Sequence, residues 1–478
     1  MTDETRYISP FSTRYASKTM QELFSSLHRA KLFRQLWYLL AKNERALGLD
    51  ITEEQVEELK AHRDDVDLDA CDRYERQTRH DVMAHIRAYA DCCPKAAPII
   101  HLGATSCYVG DNADTLIYRE ALELIRARLV NVVRALSDFA EKYADTPTLA
   151  YTHFQPAQPT TIGKRATLWI NDLMMDIASL DHVRQILRPL GCKGTTGTQA
   201  SFLELFHGDY KKVRALDLMI ARDMGFDRSV PVSGQTYSRK MDTDILCLMG
   251  QIGSSAHKFA FDLRLLAHEK ELEEPFASTQ VGSSAMPYKR NPMRAERMSG
   301  LSRQLMVNVQ NGFFTAGEQW LERSLDDSAN RRISMSEGFL CADAVLLLYE
   351  SIASGLVVHR KMAERHLMNE LPFMMTENLM MRAVERGADR QQMHEIIRQH
   401  AMASGKRIKD DGLSCDLLER LTNDSAFPLT GDEIMAETQP ERYIGCAREQ
   451  TLSFLDECVK PLLESSGAGS ADHAEIDL

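Results

Sequence analysis

Three stretches of this chain carry apolar residues at steps of three and four over unusual lengths. From about Asp114 to Tyr143 the positions are Ile125, Leu129, Val132, Val133, Leu136, Phe139 and Ala140. From Thr161 to Leu187 they are Ile162, Ala166, Trp169, Ile170, Leu173, Ile177 and Leu180. From Met241 to Glu273 they are Ile245, Leu248, Met249, Ile252, Ala256, Phe259, Ala260, Leu263, Leu266 and Ala267. This period is that of a helix and not the alternation of a strand. A further apolar run from Phe339 to Val358 also reads as helical. A helix of about 30 residues is roughly 45 Å long at 1.5 Å per residue. That exceeds a single-domain core, so such helices are expected to finish their burial against other copies in a multi-subunit bundle.

Around this middle part the patterns shorten. Residues 1–105 mix short helices with charged turns: Arg14-Tyr15-Ala16-Ser17 precedes a helix expected to bury Leu23, Leu27, Leu32, Leu36 and Leu39. Thr52-Glu53-Glu54-Gln55 is a capping-box start, and Pro94 and Pro98 end a later helix. Ile99 to Gly103 reads as a short extended piece. Residues 359–478 return to short helices punctuated by Pro372, Gly387, Gly405, Gly412 and Pro428. The small, polar stretch from about 465 is expected to be a disordered tail. With 478 residues and roughly 150 residues per domain, about three domains are expected. The expected fold is all-α in three parts: 1–105, a central long-helix bundle over 106–358, and 359–478. A plain coiled-coil scaffold is the simpler alternative, but the Gly- and Pro-rich loops between the helices are too elaborate for a rod.

A net charge of −12 argues against general nucleic-acid binding, which draws most of its affinity from phosphate neutralisation. An anionic substrate would therefore need a locally basic pocket. The ten cysteines are scattered and form no Cys-x-x-Cys pair, so neither a zinc ribbon nor a disulfide framework is expected. Met1–Thr5 has no basic or apolar leader character, and no apolar run is long enough to span a bilayer. The reading is a soluble, reduced, cytoplasmic protein that binds neither membrane nor nucleic acid.

The segment Gly282-Ser283-Ser284-Ala285-Met286-Pro287-Tyr288-Lys289-Arg290-Asn291-Pro292 is the most telling loop. Gly282 and two serines give it mobility, while Pro287 and Pro292 stop a helix from running through it. Asn291-Pro292 reads as an N-cap and first helical position, which would set a helix N-terminus beside Lys289 and Arg290 as an anion site. Its chemistry reads equally as a closing catalytic loop and as a basic surface turn. The segment resembles the signature loop of the fumarase/aspartase superfamily, whose members eliminate fumarate from succinyl-type substrates. Its Tyr-Lys-Arg looks like that of the adenylosuccinate lyase family.

Further segments extend the resemblance over most of the chain. Tyr151-Thr152-His153-Phe154-Gln155-Pro156 matches the family's second conserved region, whose histidine is the general acid. A lone histidine is otherwise more often structural, although a proton donor near neutral pH is what imidazole supplies best. Arg79-His80-Asp81 matches a region whose histidine lies at the substrate, and Asp81 could orient His80 or be a surface charge. Ala104-Thr105-Ser106 matches the region supplying hydroxyls to a substrate carboxylate, and an N-cap role is compatible with that. Gln235 matches a substrate-binding glutamine. Arg297, Arg323, Ser328 and Arg332, with Arg14 and Tyr15, match positions for a nucleotide phosphate and ribose, although alone they read as helix-surface residues. The glycine-rich Gly191–Gln199 segment lacks the ending of a phosphate-binding P-loop and is given a structural role. His268-Glu269-Lys270-Glu271-Leu272 is not a zinc motif, and no metal is expected.

The resemblance implies an anti β-elimination of fumarate from adenylosuccinate, leaving AMP, and from the succinylaminoimidazole carboxamide ribotide (SAICAR), leaving AICAR. Ser283 is implied as the base that takes the weakly acidic C–H proton. Lys289 and Asn291, with Ser106 and Thr152, would grip the succinyl carboxylates. His153 would protonate the leaving nitrogen, assisted by His80. No organic cofactor is implied. The family's assembly is a homotetramer in which three subunits contribute to each active site. The competing readings are a sister lyase acting on argininosuccinate or aspartate, and a catalytically silent structural relative. The arginine set argues against the first, and retention of His80, His153, Ser283 and Lys289 argues against the second.

Overall fold

The computed structural model describes residues 5–277 and 279–466. The expected tail lies outside the described residues from 467 onward, and the chain is still helical at Lys460–Ser465. Nine helices and four short strands position everything argued below. In chain order they are α1 (Ser26–Ala46), α2 (Asp81–Cys92), α3 (Ser106–Lys142), β1 (Pro147–Thr152), β2 (Gln155–Thr161), α4 (Ile162–Ile186) and α5 (Tyr210–Asp223). Then follow α6 (Lys240–His268), β3 (Leu272–Glu273), α7 (Met293–Gly317), α8 (Asp326–Ala353), β4 (Val357–Val358) and α9 (Arg360–Met374).

The central bundle is α3, α4, α6, α7 and α8, and the apolar positions named from the sequence fill its core. Apart from the partly buried Ala267 they are all inside: Leu129, Leu136, Ala166, Leu173, Ile252 and Leu263 have no exposed surface at all. The α4 boundaries fall where the amphipathic stripe places them, with Thr161 capping Lys164 N–H through its hydroxyl. The start of α3 does not. It begins at Ser106, eight residues before the apparent periodicity, because its first turns are buried on several sides and carry Asp111, Asn112, Asp114 and Thr115 inward. A helix enclosed all round shows no amphipathic stripe.

Those inward polar groups are paired. Arg239 reaches Asp111 at 3.0 and 3.1 Å and Asp327 at 2.7 Å. Arg331 reaches Asp242 at 2.6 Å and Asp114 at 2.9 Å, and Arg29 reaches Asp114 at 2.6 Å. Three helices, α3, α6 and α8, are thus tied at one end of the bundle by buried ion pairs, and the partly exposed Arg29 joins α1 to them.

Several local expectations need correction. Ile99–Gly103 is not extended: Ala97–Ile99 is a 3-10 turn, and His101 and Gly103 adopt left-handed conformations. Leu27 is exposed rather than buried, because Ser25 starts a new helix and Leu27 falls on its outer face. The chain also contains strands. β1 and β2 form an antiparallel hairpin with an irregularity between Leu149 and Tyr151, and β3 pairs with β4. The Thr52–Gln55 capping box forms as expected.

A second core joins α1 and α2 to α5, and a third lies in residues 371–434. Within the second core Glu44 is fully buried and neither carboxyl oxygen has a hydrogen-bond partner. Burial pushes its pKa from 4.5 up to about 9. The unfolded chain ionises this group near its ordinary value, whereas the folded chain holds the proton until about pH 9. Its stabilising effect is therefore complete in acid and is lost as pH rises through that window. Glu44→Gln should flatten the fall in Tm between pH 6 and pH 9 that wild type shows. Parallel Tm curves for the two proteins would show that Glu44 is not held as a buried acid.

Candidate active site

The candidate residues fall into three groups along the bundle. The first collects where α3, α6 and α8 begin. Arg79 ends its helix in a left-handed conformation, and His80 caps α2, its Nδ1 accepting the Met83 N–H at 3.3 Å. Asp81 accepts from Arg332 at 2.9 Å, joining the start of α2 to α8. Arg331 and Arg332, adjacent in sequence, point apart: Arg331 enters the buried ion lattice, while the Arg332 side chain is 70% exposed. Thr105 occupies the N-cap position of α3, but its hydroxyl makes no capping bond.

Ser106 opens that helix, and its neighbour Cys107 contacts Gln235. Gln235 is held by its backbone N–H to Glu322 O at 2.9 Å and by its amide to Thr195 O at 3.0 Å. Arg323 lies against Asp327, with both carboxylate oxygens at 2.9 Å, and Ser328 is half-buried in the first turn of α8. This end of the bundle therefore offers hydroxyls, an amide and cations over a fixed ionic floor. That is the chemistry for a polar anion.

His101 joins this group, and sequence reading missed it by treating its segment as plain extended chain. Trp37 Nε1–H donates to its Nδ1 at 2.8 Å, so the proton of the neutral ring sits on Nε2. Burial, helped by the neighbouring charge of His80, lowers its pKa to about 4. It is a neutral imidazole beside His80 at physiological pH. The only sequence signal was its place just ahead of Ala104-Thr105-Ser106.

The second group lies at the opposite end. Thr152 and His153 sit at the exposed tip of the β1–β2 hairpin, where His153 and Phe154 both take positive φ, 55° and 56°. The segment is therefore a tight two-residue turn between strands. Glu271, only 2% exposed, anchors it: its carboxylate accepts from Thr148 at 3.3 Å and Tyr151 at 3.4 Å, and meets His366 of α9 at 2.8 Å. Nothing in the sequence marked Glu271 as the anchor, since its partners come from distant segments.

Ser283, Lys289 and Asn291 occupy the loop between Glu271 and α7, at this same end. Asn291 Nδ2–H donates to Gly282 O at 2.8 Å and closes the loop at its base, leaving 284–290 exposed. Ser283 Oγ accepts the Met286 N–H at 3.1 Å. The helix N-terminus is not the open anion site expected from Asn291-Pro292. Asn291 spends its side chain on Gly282, and Glu274 takes the free N–H groups of Arg294 and Ala295 at 3.1 and 2.9 Å. An internal carboxylate thus already neutralises that helix end.

The third group lies between these ends. Arg297, in the first turns of α7, places its guanidinium 5.9 Å from the centre of the Tyr15 ring, and Arg14 is exposed beside it.

One chain does not bring these groups together. Ser106 and the His153 hairpin lie at opposite ends of α3, whose 37 residues span roughly 55 Å. Among the described residues no three His, Cys, Asp or Glu side chains converge as a metal site, and no helix is long and apolar enough to cross a membrane.

Comparison with known proteins agrees with this architecture. A lyase family model matches residues 35–307, and a model of the adenylosuccinate lyase C-terminus matches residues 372–454. The chain is 47% identical over 467 residues to the adenylosuccinate lyase of Saccharomyces cerevisiae, covering 97% of each. It is 45% identical over 461 residues to that of Schistosoma mansoni, covering 96% of each. Among solved structures, 3-carboxy-cis,cis-muconate lactonizing enzyme from Pseudomonas putida superposes with a TM-score of 0.82 at 24% identity, over 96% of this chain and 99% of that one. Fumarate lyase from Mesorhizobium sp. BNC1 gives 0.79 at 22% identity, over 94% and 99%. These two likenesses concern the fold alone. From the long-helix bundle through its C-terminal helices, the chain belongs to the adenylosuccinate lyase family.

Proposed function

We propose that this protein is a carbon–nitrogen lyase that eliminates fumarate from adenylosuccinate, leaving AMP, and from SAICAR, leaving AICAR. The observation that carries the proposal is the near full-length match to the yeast and Schistosoma mansoni lyases, over 97% and 96% of this chain. The cations and hydroxyls over the ionic floor suit a phosphoribosyl substrate, with Arg323, Arg332, Ser328 and Gln235 as its ligands. Arg14, Tyr15 and Arg297 would serve the nucleotide from the third group.

In this reading Ser283 is the base. A serine hydroxyl is too weak an acid to ionise unaided, so its charged form must be favoured. The Met286 N–H already aimed at Oγ does this, and Lys289 adds a cation once the loop closes over the substrate. The α7 N-terminus contributes nothing to this, being held by Glu274. Thr105, Ser106, Thr152 and Asn291 bind the succinyl carboxylates, and His153 gives its proton to the departing nitrogen. His80, flanked by Arg79 and Asp81, sets the charge around it.

The separation of the three groups supports a shared site, and a homotetramer is the assembly we propose. Exposed apolar side chains on the bundle helices support the same reading: Leu168 and Met175 on α4, Phe261 on α6, and Val307, Phe313 and Phe314 on α7. A lone chain rarely leaves so much apolar surface in water. The three-domain division at 105 and 358 belongs to this proposal and is supported by three main cores, which cross those boundaries in places: residues 108–116 and 192–224 join the first, and Phe11, Met20, Leu455 and Val459 join the central one. A cytoplasmic location is supported by ten free cysteines.

The ultraviolet change as adenylosuccinate becomes AMP tests the reaction. Wild type should turn over, and Ser283→Ala should lose about 10²- to 10⁴-fold in kcat while keeping its fold and assembly. A fast Ser283→Ala enzyme would move the base elsewhere, and a wild type active only on argininosuccinate would overturn the substrate.

A further inference from the structure

Gln235 is gripped at both ends of its carboxamide. Its Nε2–H donates to Thr195 O at 3.0 Å, and its Oε1 accepts from the Cys107 thiol at 3.5 Å. The reverse orientation would set Oε1 against the Thr195 carbonyl, two acceptors face to face, and would aim the amide hydrogens at a thiol that offers one of its own. The two partners therefore select the same rotamer. Burial pushes the Cys107 pKa up to about 12, so the thiol keeps its proton across the working pH range.

The backbone around Gln235 is already fixed. A Cβ on Gly197 would lie 1.9 Å from Ser233 O, and one on Gly234 would lie 2.5 Å from Glu322 O. Chain segments press together there as closely as backbone allows. Only the side-chain torsions of the half-buried Gln235 remain free, and Cys107 and Thr195 hold them.

We propose that Cys107 is a positioning residue for the reaction: its thiol sets the Gln235 carboxamide so that one amide hydrogen and one oxygen lone pair face the substrate. The proposal rests on Gln235 being a substrate ligand in the reading above. The thiol itself touches no substrate. It lies one residue beyond Ser106, so the first turn of α3 both supplies a hydroxyl and orients the amide beside it.

Such a contact acts alike before and during the reaction, so its loss should appear in KM rather than kcat. Cys107→Ala and Cys107→Val, the second keeping the volume, should each raise KM for adenylosuccinate about three- to tenfold with kcat changed less than about twofold. Cys107→Ser, which restores a donor, should recover most of that loss. In a Gln235→Ala background, Cys107→Ala should add nothing. Wild-type kinetics in Cys107→Val, failure of serine to rescue, or additive losses would each overturn the proposal. Wild-type kinetics in Gln235→Ala would instead remove Gln235 from the site, and the proposal with it.

Discussion

The first site group depends on the buried lattice of Arg239, Arg331, Asp111, Asp114, Asp242 and Asp327. Removing one partner of such a buried pair leaves an unpaired charge and costs about 3–5 kcal/mol. Replacing all partners by apolar residues need not cost stability, so the lattice is best understood through what it fixes. It locks the first turns of α3, α6 and α8 in one register. Asp327 shows the coupling: it accepts Arg239 from within the lattice and Arg323 from the surface. Arg323 therefore inherits the geometry of the buried Arg239.

The same helices that fix one site group hold the others away from it. α3 carries Ser106 at its start and leads into the His153 hairpin at its end. Each segment is anchored, one at the lattice and one at Glu271, and the assembly proposed above is what would bring them together. Glu271 sits on the far side of this arrangement, binding the hairpin, the path to the Ser283 loop and α9 through a single carboxylate. A substitution there would disturb the Ser283 loop and the His153 hairpin together, without touching either residue.

Much of this was legible in the sequence, for reasons that can be named. The α4 boundaries follow from Thr161 as cap and an uninterrupted stripe from Ile162 to Leu180. The first turns of α3 were not legible, because Asp111 and Asp114 look like surface residues until Arg239 and Arg331 arrive from more than a hundred positions away. No strand was named for the hairpin: Pro156 and Pro159 argue against one, yet their missing N–H groups cost β2 little in a two-stranded ribbon. The site residues were named through family resemblance. What no local pattern held was their support: the Asp81–Arg332 bridge, the Trp37–His101 bond, and the carboxylate of Glu274 on the α7 N-terminus.

The central claim is that the separated groups meet only between chains. The direct measurement is fumarate release after mixing Ser283→Ala, from the second group, with His80→Ala, from the first, each expected to be inactive alone, under conditions that exchange subunits. If the site is shared, mixed assemblies contain some sites with an intact serine from one chain and an intact histidine from another, and activity returns. If mixed assemblies form, as shown by mass, yet remain as inactive as their parents, each site draws both residues from one chain and the account is wrong.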